Sequence, residues 1–89
     1  MAEYEKKSEE IFRRRFEREA DRIISKVYNK NTMAANESKF MAASQKAMEE
    51  LNSAQEEIAS QTAMPSAKSR LIASQIIDKI TNAKKKEIK

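Results

Sequence analysis

The sequence predicts an all-α protein, a small helical bundle of three helices, and three observations lead to this fold class. Glycine is absent and proline occurs once, at Pro65, so the chain lacks the residues that make tight hairpin turns. Strong helix formers such as alanine, glutamate and lysine dominate the composition. Large apolar residues recur three or four positions apart and do not alternate as in a strand. The 89 residues suffice for one domain, 1–89, which buries a low fraction of its surface when it folds alone.

The first predicted helix covers about residues 2–28. Its apolar positions follow one another at intervals of four, four, three and four residues, which is the spacing of one helix face. These positions are Phe12, Phe16, Ala20, Ile23 and Val27. Acidic residues gather near the start, whereas Lys26 and Lys30 lie near the end, as the helix dipole prefers. We expect the five apolar residues to form the buried face.

The second predicted helix covers about residues 33–60. Its apolar seam alternates intervals of four and three residues, as in a coiled coil. The seam consists of Phe40, Ser44, Ala47, Leu51, Ala54 and Ile58. Met41 and Met48 lie beside it, so the apolar face is wide enough to touch two neighbours. We expect both methionines to be packing filler rather than a ligand site.

The connection between these two helices is short. Thr32 is suited to cap the second helix, and Asn36 is an alternative cap that would start it about four residues later. A connection of about four residues makes two helices antiparallel neighbours, because a crossover would need more chain. The first two helices are therefore predicted to form an antiparallel hairpin.

The third predicted helix covers about residues 66–85. Pro65 fits the first turn of a new helix, and the alternative is a kink in one long helix. Leu71 points away from the main apolar face. That face carries Ile72, Ile76, Ile77 and Ile80. Leaving such side chains in water would forfeit about 1.5 to 3 kcal/mol each, so the face either packs on the hairpin or is offered to a partner.

The net charge of +4 is unevenly distributed. Residues 1–30 carry nine basic and seven acidic groups, residues 31–64 two and five, and residues 65–89 seven and two. Cations recur every four residues along the first helix, at Arg14, Arg18, Arg22, Lys26 and Lys30. A basic tail, 84–89, adds Lys84, Lys85 and Lys86.

These cations permit two interpretations. In the first interpretation, they contact the phosphates of a nucleic acid, and binding would depend on salt concentration and not on base sequence. Alternatively, the helical row is a solvated face, because Glu10, Glu17 and Asp21 lie beside it, and the tail lysines complement the helix dipole.

The residue types that are missing narrow the function. The chain has no cysteine and no histidine, which removes disulfides, thiolate catalysis and the commonest metal ligands and general bases. Adjacent glutamates such as Glu9 and Glu10 diverge by about 100° on a helix and do not converge on a substrate. We expect no catalytic, cofactor or metal site and no small-molecule substrate. No signal peptide or membrane span is recognisable, so we expect an intracellular (cytoplasmic) or virion-associated protein.

The sequence therefore favours a non-enzymatic interaction or assembly module. Its apolar helix faces are predicted to bind another protein or further copies of the chain as a homo-oligomer. The candidate partner-binding residues are Phe40, Leu51, Ile58, Ile72, Ile76, Ile77 and Ile80. The alternative is a small nucleic-acid-binding protein that uses the cationic row and the lysine tail.

Overall fold

A computed structural model describes the backbone of residues 2–88 and the side chains of residues 7–87. Within that range the chain forms four helices and no strand. They are α1 (Ala2–Ser25), α2 (Lys30–Ala34), α3 (Glu37–Gln61) and α4 (Ser66–Ile88). The prediction of an all-α protein is confirmed. The predicted tail is helical as far as Ile88, and Lys89 lies outside the described residues.

Asn29 ends α1 and starts the short helix α2. Its side-chain nitrogen donates hydrogen bonds to the carbonyls of Ser25 and Lys26, both at 2.9 Å. Its side-chain oxygen accepts a hydrogen bond from the backbone amide of Thr32 at 2.8 Å. One side chain thus satisfies free groups at two helix ends. For this reason α1 ends three residues before the predicted boundary at residue 28.

Asn36, and not Thr32, caps the long second helix. The Asn36 side-chain oxygen accepts a hydrogen bond from the amide of Lys39 at 2.9 Å, in the manner of an N-cap. The Thr32 hydroxyl instead donates to the carbonyl of Lys26 at 3.0 Å and ties α2 back to the end of α1. The segment predicted to begin one helix at residue 33 is therefore divided between α2 and α3.

The end of α3 is a Schellman turn built without glycine. The amide of Met64 donates to the carbonyl of Ala59 at 2.9 Å, and the amide of Ala63 donates to that of Ser60 at 3.3 Å. Ala63 has a φ of 56°, the left-handed conformation that glycine usually takes at this position. An alanine pays a steric cost for it, which the two hydrogen bonds and the burial of Met64 offset.

Pro65 begins a new helix. Its carbonyl accepts a hydrogen bond from the amide of Ser69 at 2.9 Å, the first bond of α4. Because α3 has already ended at Gln61, proline breaks no helical hydrogen bond here. Of the two alternatives at Pro65, a separate helix is the one observed, and a kink in one long helix is not.

The core is centred on α1. Phe12 and Phe16 are completely buried, and their rings lie nearly parallel with centroids 5.7 Å apart. Helix α1 contacts both α3 and α4 extensively, whereas α3 and α4 contact each other less. The other buried apolar residues are Ala20, Ile23, Ile24, Val27, Ala47, Leu51, Ile58, Ala59, Met64, Ile72, Ala73, Ile76 and Ile80. Helix α1 therefore provides the surface on which the other two long helices pack.

Polar contacts show the direction of the helices. Arg15 in α1 donates a hydrogen bond to Gln61 in α3 at 3.3 Å, and Lys26 lies 3.8 Å from Glu50. The contact that involves the later residue on the α1 side thus involves the earlier residue of α3. Two further ion pairs, both at 3.3 Å, join α1 to α4: Glu9 with Lys68, and Asp21 with Lys84. Helix α4 therefore lies alongside α1 in the same direction.

The expectation that Met41 and Met48 fill the core is wrong. Their side chains are 56% and 63% exposed, respectively. Helix α3 packs on α1 through a narrow stripe that includes Ala47 and Leu51, and Met48 projects to one side of it. The wide apolar face seen in the sequence does exist, but one edge of it remains open to solvent.

Candidate interaction surface

Most of the predicted partner-binding residues lie inside the chain. Phe40 and Ile77 are partly buried and pack against the core. The other five, each less than a tenth exposed, are Leu51, Ile58, Ile72, Ile76 and Ile80. In this conformation they join the three long helices to one another. Their direct use as partner contacts stays a prediction.

A groove of about 420 Å³ separates α3 from α4 on the side away from α1. The buried side chains of Leu51 and Ala73 form its floor. Ile77, which is partly buried, and Met48, which is exposed, form its apolar walls. Burial of such surface by a second molecule would contribute about 25 cal/mol per Å². The groove is thus the place where an apolar face of α3 and α4 meets solvent.

A buried polar contact joins α3 to α4 beside this groove. Gln55 and Ser69 are 4% and 0% exposed, and the Gln55 side-chain amide donates a hydrogen bond to the Ser69 hydroxyl at 2.6 Å. The hydroxyl in turn donates to the carbonyl of Ser66 at 2.9 Å. Since a buried polar group without a partner costs free energy, this pairing favours one register between α3 and α4.

The pairing of Gln55 with Ser69 was not predicted, although the sequence contains a signal for it. Gln55 follows Leu51 by four residues and precedes Ile58 by three, so it lies beside the predicted seam. Ser69 precedes Ile72 by three residues and lies on the isoleucine face. A polar residue on each of two apolar faces was the available indication that they meet.

Two opposite charges line the groove on α4. Arg70 and Asp78 both border it, and both are exposed. Among the side chains at positions 7–87, neither has an oppositely charged partner within 4 Å. Leu71, on the same outward side of the helix, is 61% exposed, as its predicted orientation requires. The outer face of α4 therefore offers apolar and charged groups that the chain itself does not use.

The predicted phosphate contacts are partly neutralised. Arg22 donates a hydrogen bond to Glu19 at 2.8 Å, and this contact raises the pKa of the Arg22 guanidinium. Lys26 pairs with Glu50 at 3.8 Å and Lys84 with Asp21 at 3.3 Å. These pairs place a carboxylate beside Arg22 and Lys26 of the row and beside Lys84 of the tail.

The remaining candidates for phosphate contact are solvent-exposed. Arg14, Arg18, Lys30 and Lys86 form no ion pair with the side chains that the structure describes. The Lys85 ammonium lies 5.8 Å from the centre of the Tyr28 ring, a cation–π contact between α4 and the turn that follows α1. A role for these cations in binding nucleic acid stays a prediction.

The described residues hold neither a cluster suited to a metal ion nor a helix suited to span a membrane. No group of three or more potential metal-ligating side chains occurs between residues 7 and 87. None of the helices within residues 2–88 has the length and apolar character needed to cross a membrane.

Comparison with known proteins found no family model, no curated protein and no solved structure that matches the chain.

Proposed function

We propose that this protein is a non-enzymatic assembly module that binds an amphipathic helix in the groove between α3 and α4. The observation that carries the proposal is the open apolar channel between Leu51 and Ala73, with Met48 exposed at its edge. Methionine is suited to such a surface because its flexible side chain adapts to different apolar partners. A bound helix would complete a bundle of four helices, with α1 and the new helix on opposite sides of α3 and α4.

The packing within the chain supports this function. We propose that α1 and α3 form an antiparallel hairpin in solution and that α4 packs on it, so that the isoleucines stabilise the module and leave the groove free. The predicted residues Leu51 and Ile77 then serve a partner from the floor and wall of the groove. The deeper isoleucines act indirectly, because they hold α4 in place.

The test uses the methionine side chains as reporters. The protein is labelled with carbon-13 at the methionine methyl groups and titrated with a synthetic amphipathic helical peptide that carries leucine on one face. We expect a saturable shift of the Met48 signal, because Met48 borders the groove. Met41 is the matched control: it is exposed on the same helix and does not line the groove.

Two results would contradict the proposed function. The first is a Met48 signal that does not respond to the peptide at protein concentrations where the chain is monomeric. The second is an equal response at Met41 and Met48, since that result would mean that the peptide adheres to any exposed apolar side chain. The variant Met48→Asp sharpens the test: it places a charge on an exposed position, so it should weaken peptide binding without unfolding the protein.

A further inference from the structure

We infer that the helix received at this groove is α4 of a second copy of the chain, antiparallel to the first about a two-fold axis beside Ser74. The inference rests on the proposed function and names its partner. Ser74 borders the groove, is exposed and is small, so two helices can approach closely where it faces its own copy.

The charges on α4 are self-complementary in this arrangement. Arg70 lies four residues before Ser74 and Asp78 four residues after it, about 6 Å along the helix in each direction. A two-fold axis at Ser74 therefore brings Arg70 of each copy to the level of Asp78 of the other. Two opposite-charge contacts form from two side chains that lack an ion-pair partner among the described residues.

The apolar residues obey the same symmetry. Leu71 precedes Ser74 by three residues and Ile77 follows it by three, so each Leu71 lies level with Ile77 of the second copy. Leu71 is 61% exposed, and Ile77 is partly buried beside the groove. The second copy would cover both, and it would cover Met48 on the facing wall of the groove.

The charge order also explains why the pair is antiparallel. Parallel copies of α4 would bring Arg70 level with Arg70 and Asp78 level with Asp78, which are repulsive contacts. Exposed ion pairs contribute little affinity but select orientation, because like charges at the same level oppose the alternative. A partner of unrelated sequence would have no reason to match this order.

The experiment measures mass against protein concentration by sedimentation equilibrium. For the unaltered chain we expect a reversible dimer. Arg70→Asp places two aspartates at each contact and Asp78→Arg places two arginines there, so each change should weaken the dimer about tenfold. Lys79→Asp is the matched control, because it makes the same type of charge change on α4 at an exposed position that does not border the groove.

Combining the two substitutions makes the test specific. The double variant Arg70→Asp with Asp78→Arg restores opposite charges at both contacts and should dimerise like the unaltered chain. An equimolar mixture of the two single variants should also regain dimer, since every contact then joins aspartate to arginine. The double variant and the unaltered chain should not form mixed dimers, which excludes the parallel arrangement.

Three outcomes would overturn the inference: a monomer throughout the concentration range, single variants that dimerise as well as the Lys79→Asp control, or mixed dimers of the double variant with the unaltered chain. The peptide titration separates this failure from that of the proposed function. If Met48 responds to the amphipathic peptide while the chain stays monomeric, only the identity of the partner is wrong. If Met48 does not respond and no dimer forms, both proposals fail.

Discussion

The buried face of α1 and the contact between α3 and α4 differ in how they are packed. On α1, Phe12 and Phe16 are completely buried and stacked on one another. Between α3 and α4, the polar pair of Gln55 and Ser69 is buried, and an open groove lies beside it. A large aromatic side chain buries about 150 to 250 Å², far more than an alanine can.

This difference indicates a division of roles within a small chain. Helix α1 provides most of the stabilisation, because it carries the largest buried side chains and contacts both other long helices. The contact between α3 and α4 contributes less to the core and leaves apolar surface exposed to solvent. A chain of 89 residues has little apolar surface to spare, and the proposed dimer would cover the exposed side chains of Met48 and Leu71.

The largest expected effect is the loss of Phe16. Phe16→Ala should lower the free energy of unfolding by about 3 to 5 kcal/mol, because it removes a fully buried ring and leaves a cavity against Phe12. Urea unfolding followed by circular dichroism measures the change. Met41→Ala, at an exposed position of α3, is the control and should change stability by about 0.5 kcal/mol or less. Equal effects of the two substitutions would show that α1 is not the centre of the core.

A smaller loss of stability is expected from the contact between α3 and α4. Ser69→Ala should cost about 1 to 3 kcal/mol, because it leaves the buried amide of Gln55 without its acceptor. Adding Gln55→Leu removes the unsatisfied group, so the double variant should recover much of that loss in the same urea experiment. Strictly additive effects of the two substitutions would contradict the coupling of Gln55 to Ser69.

The turn that leads from α3 to α4 should gain from a substitution. Ala63→Gly is expected to stabilise the protein by about 0.5 to 1 kcal/mol, because glycine takes a φ of 56° without the steric cost that alanine bears. Ala42→Gly, at an exposed position within α3, is the control and should destabilise, since glycine weakens a helix interior. Destabilisation by Ala63→Gly would argue against the left-handed turn.

The smallest effect concerns the rim of α1. Hydrogen bonds from Arg13, and secondly from Lys68, lower the pKa of the Glu9 carboxyl below its usual value. Because the folded state favours the ionised carboxylate, its contribution is present above the usual pKa and is lost as the pH falls through the lowered one. Thermal unfolding should show a small advantage of the unaltered chain over Glu9→Gln at neutral pH that disappears in acid. Persistence of that advantage in acid would exclude the carboxylate as its source.

The sequence alone was sufficient for the three long helices and for the centre of the core, but not for the short helix α2. The spacing of Phe12, Phe16, Ala20, Ile23 and Val27 identified residues that the structure buries. Leu71 was correctly expected to point outward. These properties follow from the periodicity of a single helix, which is local in the chain.

The choice between competing local signals required the surrounding turns. Thr32 and Asn36 were both suitable caps, and the hydrogen bond from the Thr32 hydroxyl to Lys26 decided for Asn36. At Pro65, the first turn of a new helix and a kink in one long helix were both compatible with proline. The Schellman turn at Ala63 ends α3 and decides for the new helix. The sequence listed the options, and the hydrogen bonds between neighbouring segments selected one.

Only the tertiary structure decided which apolar surface was left open. Met41 and Met48 lie beside the seam in sequence, yet both are exposed, whereas the polar residues Gln55 and Ser69 are buried. The burial of a side chain depends on where a second helix crosses it, and that crossing depends on the shapes of all facing side chains at once. Helical spacing defines the faces of each helix, but the packing of α3 and α4 against the phenylalanines of α1 determines which faces meet and where the groove remains.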